Sequence, residues 1–411
     1  MPQPQPRALP NRLATALMAL LLVIGFYLPT SVEETISIPL KLVSSAILLS
    51  ILVALLLRKH SILGLFAVVN VTAINVILLI CTLLSPFTEF AYGGYIPVLL
   101  LSALFCVSVK NISLTVTARR IFDATNAANL LLSALLLLPV PVVTQFFLRH
   151  YAYGYEELLP YMLEEGKAVL TFGSHSLAGF FFYLLFYMTL QTFITLGSKL
   201  NLLFALGYLA LLLSLACFTS LVFAAVAIVQ LVSCFQWRKS VVAGLVVATV
   251  LLLTTAIAGL DSFSDFKEDM IEVSRRQDNG LLGRYSTSGG GLLTNLEYIA
   301  SHPFSPIGLG MSWQLWYSDS GPVEYILKGS FPLLFTVYTG AYLFLRKNLR
   351  SRRQALFLFL VFLGFELGFS NLQYIRTQYF LPFVLVYLNG LEEVNERKMT
   401  PWPGPARWAH A

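Results

Sequence analysis

Charged residues are scarce in this chain. Only 12% of its 411 residues are Asp, Glu, Lys or Arg, whereas an average soluble domain carries roughly 25%. Hydrophobic residues make up 57%, and the mean hydropathy is +0.75. This balance excludes a water-soluble enzyme. It also excludes a disordered chain, which needs low hydrophobicity and high net charge.

Cysteine is rare, and the common catalytic motifs are missing. The four cysteines all fall inside apolar runs, and no disulfide or metal framework follows from them. The chain has no Gly-x-x-x-x-Gly-Lys, no Gly-x-Gly-x-x-Gly that opens a helix, no His-Glu-x-x-His and no Cys-x-x-Cys. We therefore expect neither an ATP-driven pump nor a nicotinamide enzyme, and no cofactor or metal.

Long apolar runs are what the chain has in abundance. Runs of about 20 apolar residues are long enough to cross a bilayer. Lipid cannot satisfy the backbone polar groups of any other open form, so each run is expected to be a helix. The sequence predicts an all-α, polytopic membrane bundle of about twelve transmembrane helices. Their predicted limits are 13–29, 38–57, 61–84, 91–109, 129–148, 169–198, 200–218, 220–236, 240–260, 330–345, 355–371 and 378–391.

Charge decides how the apolar stretch 200–236 is divided. The stretch fits either two short spans that turn near 217–220 or one long tilted helix. With two spans, about two thirds of the Lys and Arg residues fall on the cytoplasmic side, as the positive-inside rule requires. A single helix would divide them almost evenly. We therefore predict two spans and place both termini in the cytoplasm.

Two polar segments are predicted on the extracytoplasmic side. The segment 149–168 combines tyrosines with glutamates, which is typical of an amphipathic segment on the membrane surface. The segment 261–329 is the longest polar stretch, and such loops are usually functional. Within it, apolar spacing predicts a short helix near 291–302 that ends in the Pro- and Gly-rich turn 303–310. The predicted regions are 1–260 with nine spans, the loop 261–329, 330–391 with three spans, and the cytoplasmic tail 392–411.

Two residues of this long loop are candidates for binding or catalysis. Arg284 can bind a phosphate bidentately, or it can form a surface ion pair with Asp278 or Glu297. His302 can act as a general base or as a hydrogen-bond donor to a sugar. Alternatively, His302 caps the C-terminus of the loop helix, where a histidine is favourable.

Aromatic residues stand beside carboxylates near the end of the loop. Trp313 and Trp316 precede Asp319 and Glu324. Sugars have apolar faces that pack on aromatic rings and hydroxyls that bond to carboxylates, so the pattern indicates carbohydrate binding. The alternative is an aromatic belt at the membrane interface.

Three polar residues lie in or next to predicted spans. His175 lies near the start of span six, which is too long for one straight helix. Its first part is expected to form a re-entrant or interfacial piece near the site. The alternative is an ordinary polar residue at a helix start. Glu366 lies inside a span, where a carboxylate costs roughly 2.5–3.5 kcal/mol unless it is paired or hydrated. We expect an ion pair with Arg376 or a water-filled cavity.

Two stretches carry a resemblance to a known family. The first consists of Gly283-Arg284, Leu293 to Ala300, His302-Pro303, Gly308-Leu309-Gly310, Asp319 to Tyr325 and Gly329. The second is Gly-Ser-His-Ser-Leu-Ala-Gly at 173–179. Together with about twelve spans and one large late loop, they resemble the O-antigen polymerase and O-antigen ligase family. Its members are membrane enzymes of the C-type glycosyltransferase superfamily.

This resemblance implies a metal-independent glycosyltransferase with an extracytoplasmic active site and a polyprenyl-diphosphate-linked sugar donor. It implies that Arg284, by motif, and Arg376, by position, hold the diphosphate. Ligases of the family place a catalytic histidine where this chain has Asp319 and Ser320. That departure favours a polymerase.

A second departure concerns the phosphate contacts. Family members often have Ser-Arg where this chain reads Ser214 to Ser220 without an arginine. One phosphate contact is therefore missing here or is supplied by Arg275 or Arg276.

The sequence thus predicts a multi-pass polysaccharide polymerase of the bacterial inner membrane, acting in O-antigen or exopolysaccharide synthesis. It would transfer a glycan from undecaprenyl diphosphate to the next lipid-linked repeat unit, with Asp319, Glu324 or His302 as the base. Its partners would be the lipid-linked donor and acceptor, membrane lipid, and, as candidates, a flippase and a chain-length regulator. No nucleic acid is expected. Two alternatives stay open, a flippase or transporter of lipid-linked oligosaccharides and an O-antigen ligase that uses His302.

Overall fold

In the computed structural model, the regular secondary structure of the described residues is helical. It describes residues 8–27, 42–43, 45–50, 64–90, 95–151, 158–172, 174–215, 217–234, 291–303, 305–310 and 320–399. Within these ranges there is no strand, and one isolated antiparallel bridge joins Phe90 to Gly310. The predicted all-α class is confirmed.

Thirteen α-helices have defined bounds in these ranges. They are α1 Ala8–Tyr27, α2 Leu65–Leu83, α3 Tyr95–Cys106, α4 Val116–Leu137, α5 Pro141–Tyr151, α6 Leu158–Glu164, α7 His175–Leu196, α8 Lys199–Ser214, α9 Phe218–Cys234, α10 Gly291–Ser301, α11 Gly321–Asn348, α12 Arg352–Glu366 and α13 Ile375–Met399. Two 3-10 turns, Leu170–Phe172 and Asn371–Gln373, precede α7 and α13.

Several of these helices have the character of membrane helices. Among the described residues, α2 and α7 are long and apolar enough to cross a bilayer, and α4 with α5 adds a third if the bent pair is one span. Shorter apolar helices include α1, α3, α8 and α9. The structure therefore suits a helical membrane protein. The number of twelve spans stays a prediction.

The predicted span 129–148 is not one continuous helix. Helix α4 ends at Leu137 and α5 begins at Pro141, and their axes meet at 108°. Pro139 and Pro141 cause the break, because proline lacks an amide donor and disfavours helix at the preceding residue. Helix α4 instead reaches back to Val116, where Thr115 caps it by accepting the Ala118 amide at 3.2 Å. The hydropathy of residues 129–148 shows a continuous apolar run and no sign of this break.

The apolar stretch 200–236 forms two helices, as predicted. Helices α8 and α9 are separated by residues 215–217 and contact each other. The alternative of one long helix is therefore wrong. The loop helix predicted near 291–302 is also confirmed as α10. In the segment 149–168, Tyr151 is buried and its hydroxyl donates to the Tyr27 carbonyl at 2.9 Å, so this tyrosine is not on the surface.

Helix α11 begins earlier than the predicted span 330–345 and is kinked. The kink lies at Gly329 and Ser330, and Pro332 cannot donate to the Lys328 carbonyl. The loop 305–310 supplies the missing donors. The Ile307 amide donates to the Leu327 carbonyl at 2.9 Å, and the Gly308 amide donates to the Lys328 carbonyl at 3.0 Å. The end of the long loop is thereby attached to α11.

Helices α7 and α13 form the centre of the bundle. Phe181 of α7 lies 5.6 Å from Phe26 of α1 and 5.4 Å from Phe380 of α13, measured between ring centroids. Almost every residue of α7 from Ser176 to Leu190 is buried. Such aromatic packing stabilises the bundle through buried area and edge-to-face contacts.

The described helices place two groups of loops at opposite ends of the bundle. We call one the site end, which holds the starts of α7, α11 and α13 and the ends of α2 and α12. The other is the basic end, which holds the ends of α3, α7, α11 and α13 and the starts of α4 and α12. It carries Lys110, Arg119, Arg120, Arg346, Lys347, Arg350, Arg352 and Arg353.

Candidate active site

The structure describes four of the residues that the sequence singles out for a site. These are His175, His302, Glu324 and Arg376. The remaining six lie outside the described residues, and they are Arg275, Arg276, Arg284, Trp313, Trp316 and Asp319. The geometry that follows therefore concerns the part of the site built by the helices.

Arg376 is a buried cation at the site end. It lies in the first turn of α13, and its side chain is only 1% exposed. Its Nη1 donates to the Thr171 carbonyl at 2.7 Å and to the Thr171 hydroxyl at 3.2 Å. The guanidinium carbon lies 5.6 Å from the centre of the Phe172 ring, within range of a cation–π contact. Arg376 thus ties α13 to the turn that precedes α7.

His175 stands close to this contact in the chain. It is the first residue of α7, and the Ser174 side chain caps the helix by accepting the Leu177 amide at 3.3 Å. Thr171 precedes His175 by four residues, so His175 and Arg376 share the site end. The 3-10 turn Leu170–Phe172 precedes α7, so the predicted span 169–198 is not one straight helix. The re-entrant or interfacial piece stays a prediction.

Glu324 belongs to a partly exposed charged group. It lies in the first turn of α11, where the helix dipole favours a negative charge. Its carboxylate accepts hydrogen bonds from the Lys328 ammonium and from the Ser370 hydroxyl. The Lys328 ammonium also donates to Gln373 Oε1 at 2.9 Å. The side chains of Lys328 and Glu324 are 22% and 21% exposed, so this group is reachable from solvent.

Glu366 lies beneath this charged group and is fully buried. It is the last residue of α12, and its Oε1 accepts the Leu372 amide at 2.7 Å. Its Oε2 lies 3.4 Å from the Tyr338 hydroxyl. Gly321 packs so closely that a Cβ at position 321 would overlap Oε2. The predicted ion pair with Arg376 is wrong, because these two described residues form no salt bridge and Arg376 instead bonds to Thr171.

The acidic surroundings also act on Tyr325 of α11. Burial, followed by the negative charge of Glu366, raises the pKa of Tyr325 well above its usual value. Its hydroxyl therefore stays protonated at neutral pH. It is a neutral member of the group and not a candidate base.

His302 lies apart from these residues. Its ring stacks on Tyr298 at 4.7 Å, and its Nδ1 lies 2.8 Å from the Ser301 hydroxyl. It is exposed and lines a small cavity of about 30 Å³ with Tyr298 and Ser330. Its amide donates to the Tyr298 carbonyl at 2.8 Å, which ends α10. Among the described residues, no contact joins His302 to Glu324 or Arg376, which favours its interpretation as a helix-end residue.

The turn Gly308-Leu309-Gly310 has a structural cause. Gly308 has φ 59°, and a Cβ there would overlap the backbone of Thr82 at the end of α2. The Leu309 amide donates to the Thr82 hydroxyl at 3.1 Å. The turn therefore docks the long loop onto α2, and this close packing explains the glycine at position 308.

Sequence reasoning missed three members of the group, namely Lys328, Ser370 and Gln373. Lys328 could have been found from its i, i+4 spacing with Glu324. Ser370 and Gln373 carry no such signal, because they reach Glu324 and Lys328 only after α11 and α12 pack together. Within the described residues, no group of three or more His, Cys, Asp or Glu side chains is arranged to hold a metal ion.

No family model, curated protein or solved structure matches this chain. The candidate site thus consists of a buried guanidinium, a partly exposed carboxylate with its ammonium neighbour, and a fully buried carboxylate. In a membrane bundle such ionisable residues are rare and usually mark a functional site. This arrangement can bind an anion and accept a proton from a hydroxyl.

Proposed function

We propose that the chain is a membrane glycosyltransferase that polymerises polyprenyl-diphosphate-linked repeat units. One observation carries the proposal. The buried guanidinium of Arg376 and the carboxylate of Glu324 lie at the same end of an apolar helix bundle, and Ser370 and Gln373 of the turn before α13 bond to the Glu324–Lys328 pair. A reaction of this class needs a cationic group for its leaving group and a base for its acceptor.

The proposed reaction transfers a glycosyl group from a diphosphate to a hydroxyl. The acceptor hydroxyl oxygen bonds to the anomeric carbon of the donor, and the bond from that carbon to the diphosphate oxygen breaks. The proton of the hydroxyl passes to Glu324 or to Asp319 of the adjoining loop. The polyprenyl diphosphate leaves with the electron pair, and positive charge stabilises it. Arg376 supplies that charge from α13, and Arg284, with Arg275 or Arg276, supplies it from the loop.

We infer the orientation in the membrane from charge. The basic end carries eight of the sixteen described Lys and Arg residues, and the positive-inside rule assigns such an end to the cytoplasm. The site end then faces the extracytoplasmic side of the bacterial inner membrane, and both termini lie in the cytoplasm. Substrates arrive there as lipid-linked oligosaccharides, which supports a flippase as a partner and leaves a role for a chain-length regulator.

The test is polymer synthesis in a deletion strain that carries wild-type protein or Glu324→Gln. We expect wild type to restore polymer and Glu324→Gln to leave single lipid-linked repeat units on the outer face. Arg350→Ala, at the basic end, is the matched control and should restore polymer. Full polymer with Glu324→Gln at equal membrane levels would remove Glu324 from the site.

A flippase is the second candidate, and the kink in α11 favours it. Transporters often build their sites from discontinuous helices, and α11 is interrupted at Gly329 and Ser330 beside charged residues. The deletion strain separates the two functions. Repeat units trapped on the inner face would identify a flippase, whereas units on the outer face would identify a polymerase or a ligase.

A further inference from the structure

Glu366 connects three parts of the chain at one buried point. It closes α12, its Oε1 accepts the Leu372 amide of the 3-10 turn, and its Oε2 contacts the first turn of α11 at Gly321. Tyr338, farther along α11, lies 3.4 Å from the same oxygen. A single carboxylate thereby holds the start of α11 against the turn 370–373.

The candidate site spans the same two segments. Glu324 lies three residues after Gly321 on α11, and it contacts Ser370 in the turn. Lys328 lies one turn later and contacts Gln373. Arg376 follows this turn by three residues. Any shift of the turn relative to α11 would separate Glu324 from Ser370 and would move the start of α13 with Arg376.

We propose that Glu366 is a positioning residue, which sets the turn 370–373 against α11 so that Glu324 and Arg376 address one substrate. The reaction named here rests on the proposed function, whereas the positioning itself rests on the contacts alone. Both oxygens of Glu366 face protein groups, the Leu372 amide and the Tyr338 hydroxyl, so Glu366 acts through its neighbours. Its place at the last residue of α12 gives it reach to both segments.

The positioning role depends on Glu366 as a hydrogen-bond acceptor and does not require its negative charge. The buried Leu372 amide needs an acceptor, because a buried donor without one keeps the full cost of its desolvation. A glutamine offers a carbonyl oxygen with the same reach, and its amino group can donate to the Tyr338 oxygen. A leucine has the same size class but offers no acceptor. Glutamine should therefore rescue what leucine removes.

The first experiment compares Glu366→Gln with Glu366→Leu in proteoliposomes supplied with lipid-linked repeat units. We expect kcat to fall roughly tenfold or more for leucine, because misplaced groups lose near-attack geometry, and to stay within roughly threefold of wild type for glutamine. KM should change less than kcat. Asn348→Ala is the control for a general loss of stability, because this buried residue lies at the basic end of the same helix, α11. Equal losses for glutamine and leucine would overturn the proposal.

The second experiment does not depend on activity. Lys328→Cys and Gln373→Cys are combined, and the two thiols are joined with a short bifunctional thiol reagent and identified by mass spectrometry. We expect the pair to cross-link roughly tenfold more slowly when Glu366 is leucine, and at nearly the wild-type rate when it is glutamine. An unchanged rate with leucine would overturn the positioning role. Wild-type protein without transferase activity would overturn the proposed function, and the cross-linking rates would still decide the role of Glu366.

Discussion

The two ends of the bundle both bury polar side chains, but they do so with different chemistry. At the basic end, Asn348 accepts the Val109 amide at 2.6 Å and donates to the Val107 carbonyl at 3.1 Å. Asn389 accepts the Arg350 amide at 3.1 Å and donates to the Asn348 carbonyl at 2.7 Å. These buried groups are neutral amides, and their partners are backbone atoms.

At the site end, buried and half-buried ionisable groups join the neutral ones, and several of their partners are side chains. Glu324, Lys328, Glu366 and Arg376 converge there from three helices. Neutral amides that satisfy the backbone hold loops in place at modest cost, whereas ionisable groups in a membrane bundle are expensive. The difference indicates that the basic end is built for stability and the site end for function.

The largest effect on activity is expected at the site end, at Arg376. Arg376→Ala should lower the transfer rate roughly 100-fold, because it removes a buried positive charge from the site. Arg376→Lys should recover only part of the rate, since lysine lacks the planar fork. The measurement is transfer between lipid-linked repeat units in proteoliposomes. Arg350→Ala is the matched control, because its pairs with Glu393 and Glu396 are partly exposed and lie at the basic end. Equal rates for the two alanine variants would contradict the assignment.

A large effect on stability, without an effect on chemistry, is expected at the basic end. Asn348→Ala removes the acceptor of the buried Val109 amide and the donor to the Val107 carbonyl. The free energy of unfolding should fall by about 2–3 kcal/mol. Thermal unfolding in detergent measures this change, and activity per folded molecule should equal that of wild type. A lower specific activity in the folded fraction would show that the basic end also contributes to function.

A smaller effect is expected where the long loop docks onto α2. Gly308→Ala introduces both a positive φ for alanine and an overlap with Thr82, so we expect a loss of about 1–3 kcal/mol. Hydrogen exchange at the Ile307 amide should speed up as the loop detaches. Gly197→Ala is the matched control, because Gly197 has φ 69° but open space around its Cβ. Its cost should be only about 1 kcal/mol. Equal costs would show that the contact with Thr82 contributes nothing.

The smallest effect is expected at His302. His302→Ala removes an exposed ring that stacks on Tyr298, and exposed substitutions usually change stability by less than about 0.5 kcal/mol. A polymerase should keep its activity, and polymer length on a gel measures this. Complete loss of transfer at normal membrane levels would instead support the ligase, and would place His302 in the site.

Much of the fold follows from patterns that are local in the chain. The amphipathic helix α10 and the break between α8 and α9 both follow from apolar spacing, length and charge. The failure at 129–148 is also instructive. The apolar residues there are continuous, and only Pro139 and Pro141 indicate that the chain bends, by 108° between α4 and α5. Hydropathy averages over residues, so it does not register a break made by two of them.

The candidate site was harder to predict than the fold. Glu366 and Arg376 are visible as costly charges in apolar surroundings, and their nearness in the chain favoured an ion pair. In the structure, Arg376 instead donates a hydrogen bond to Thr171, and Glu366 accepts one from the Leu372 amide. Two residues ten positions apart at the ends of different helices point wherever those helices are packed, and spacing alone does not determine that direction.

The apolar character, the helical class and the identity of the rare charged residues can all be predicted from the amino-acid sequence. These properties depend on composition and on local spacing, because each residue's preference for water or lipid is set largely by its own side chain. Only the tertiary structure decided that Glu324, Lys328, Ser370 and Gln373 form one group above Glu366. That group is assembled from α11 and from the turn between α12 and α13. Such contacts between segments distant in the chain exist only once the helices have packed.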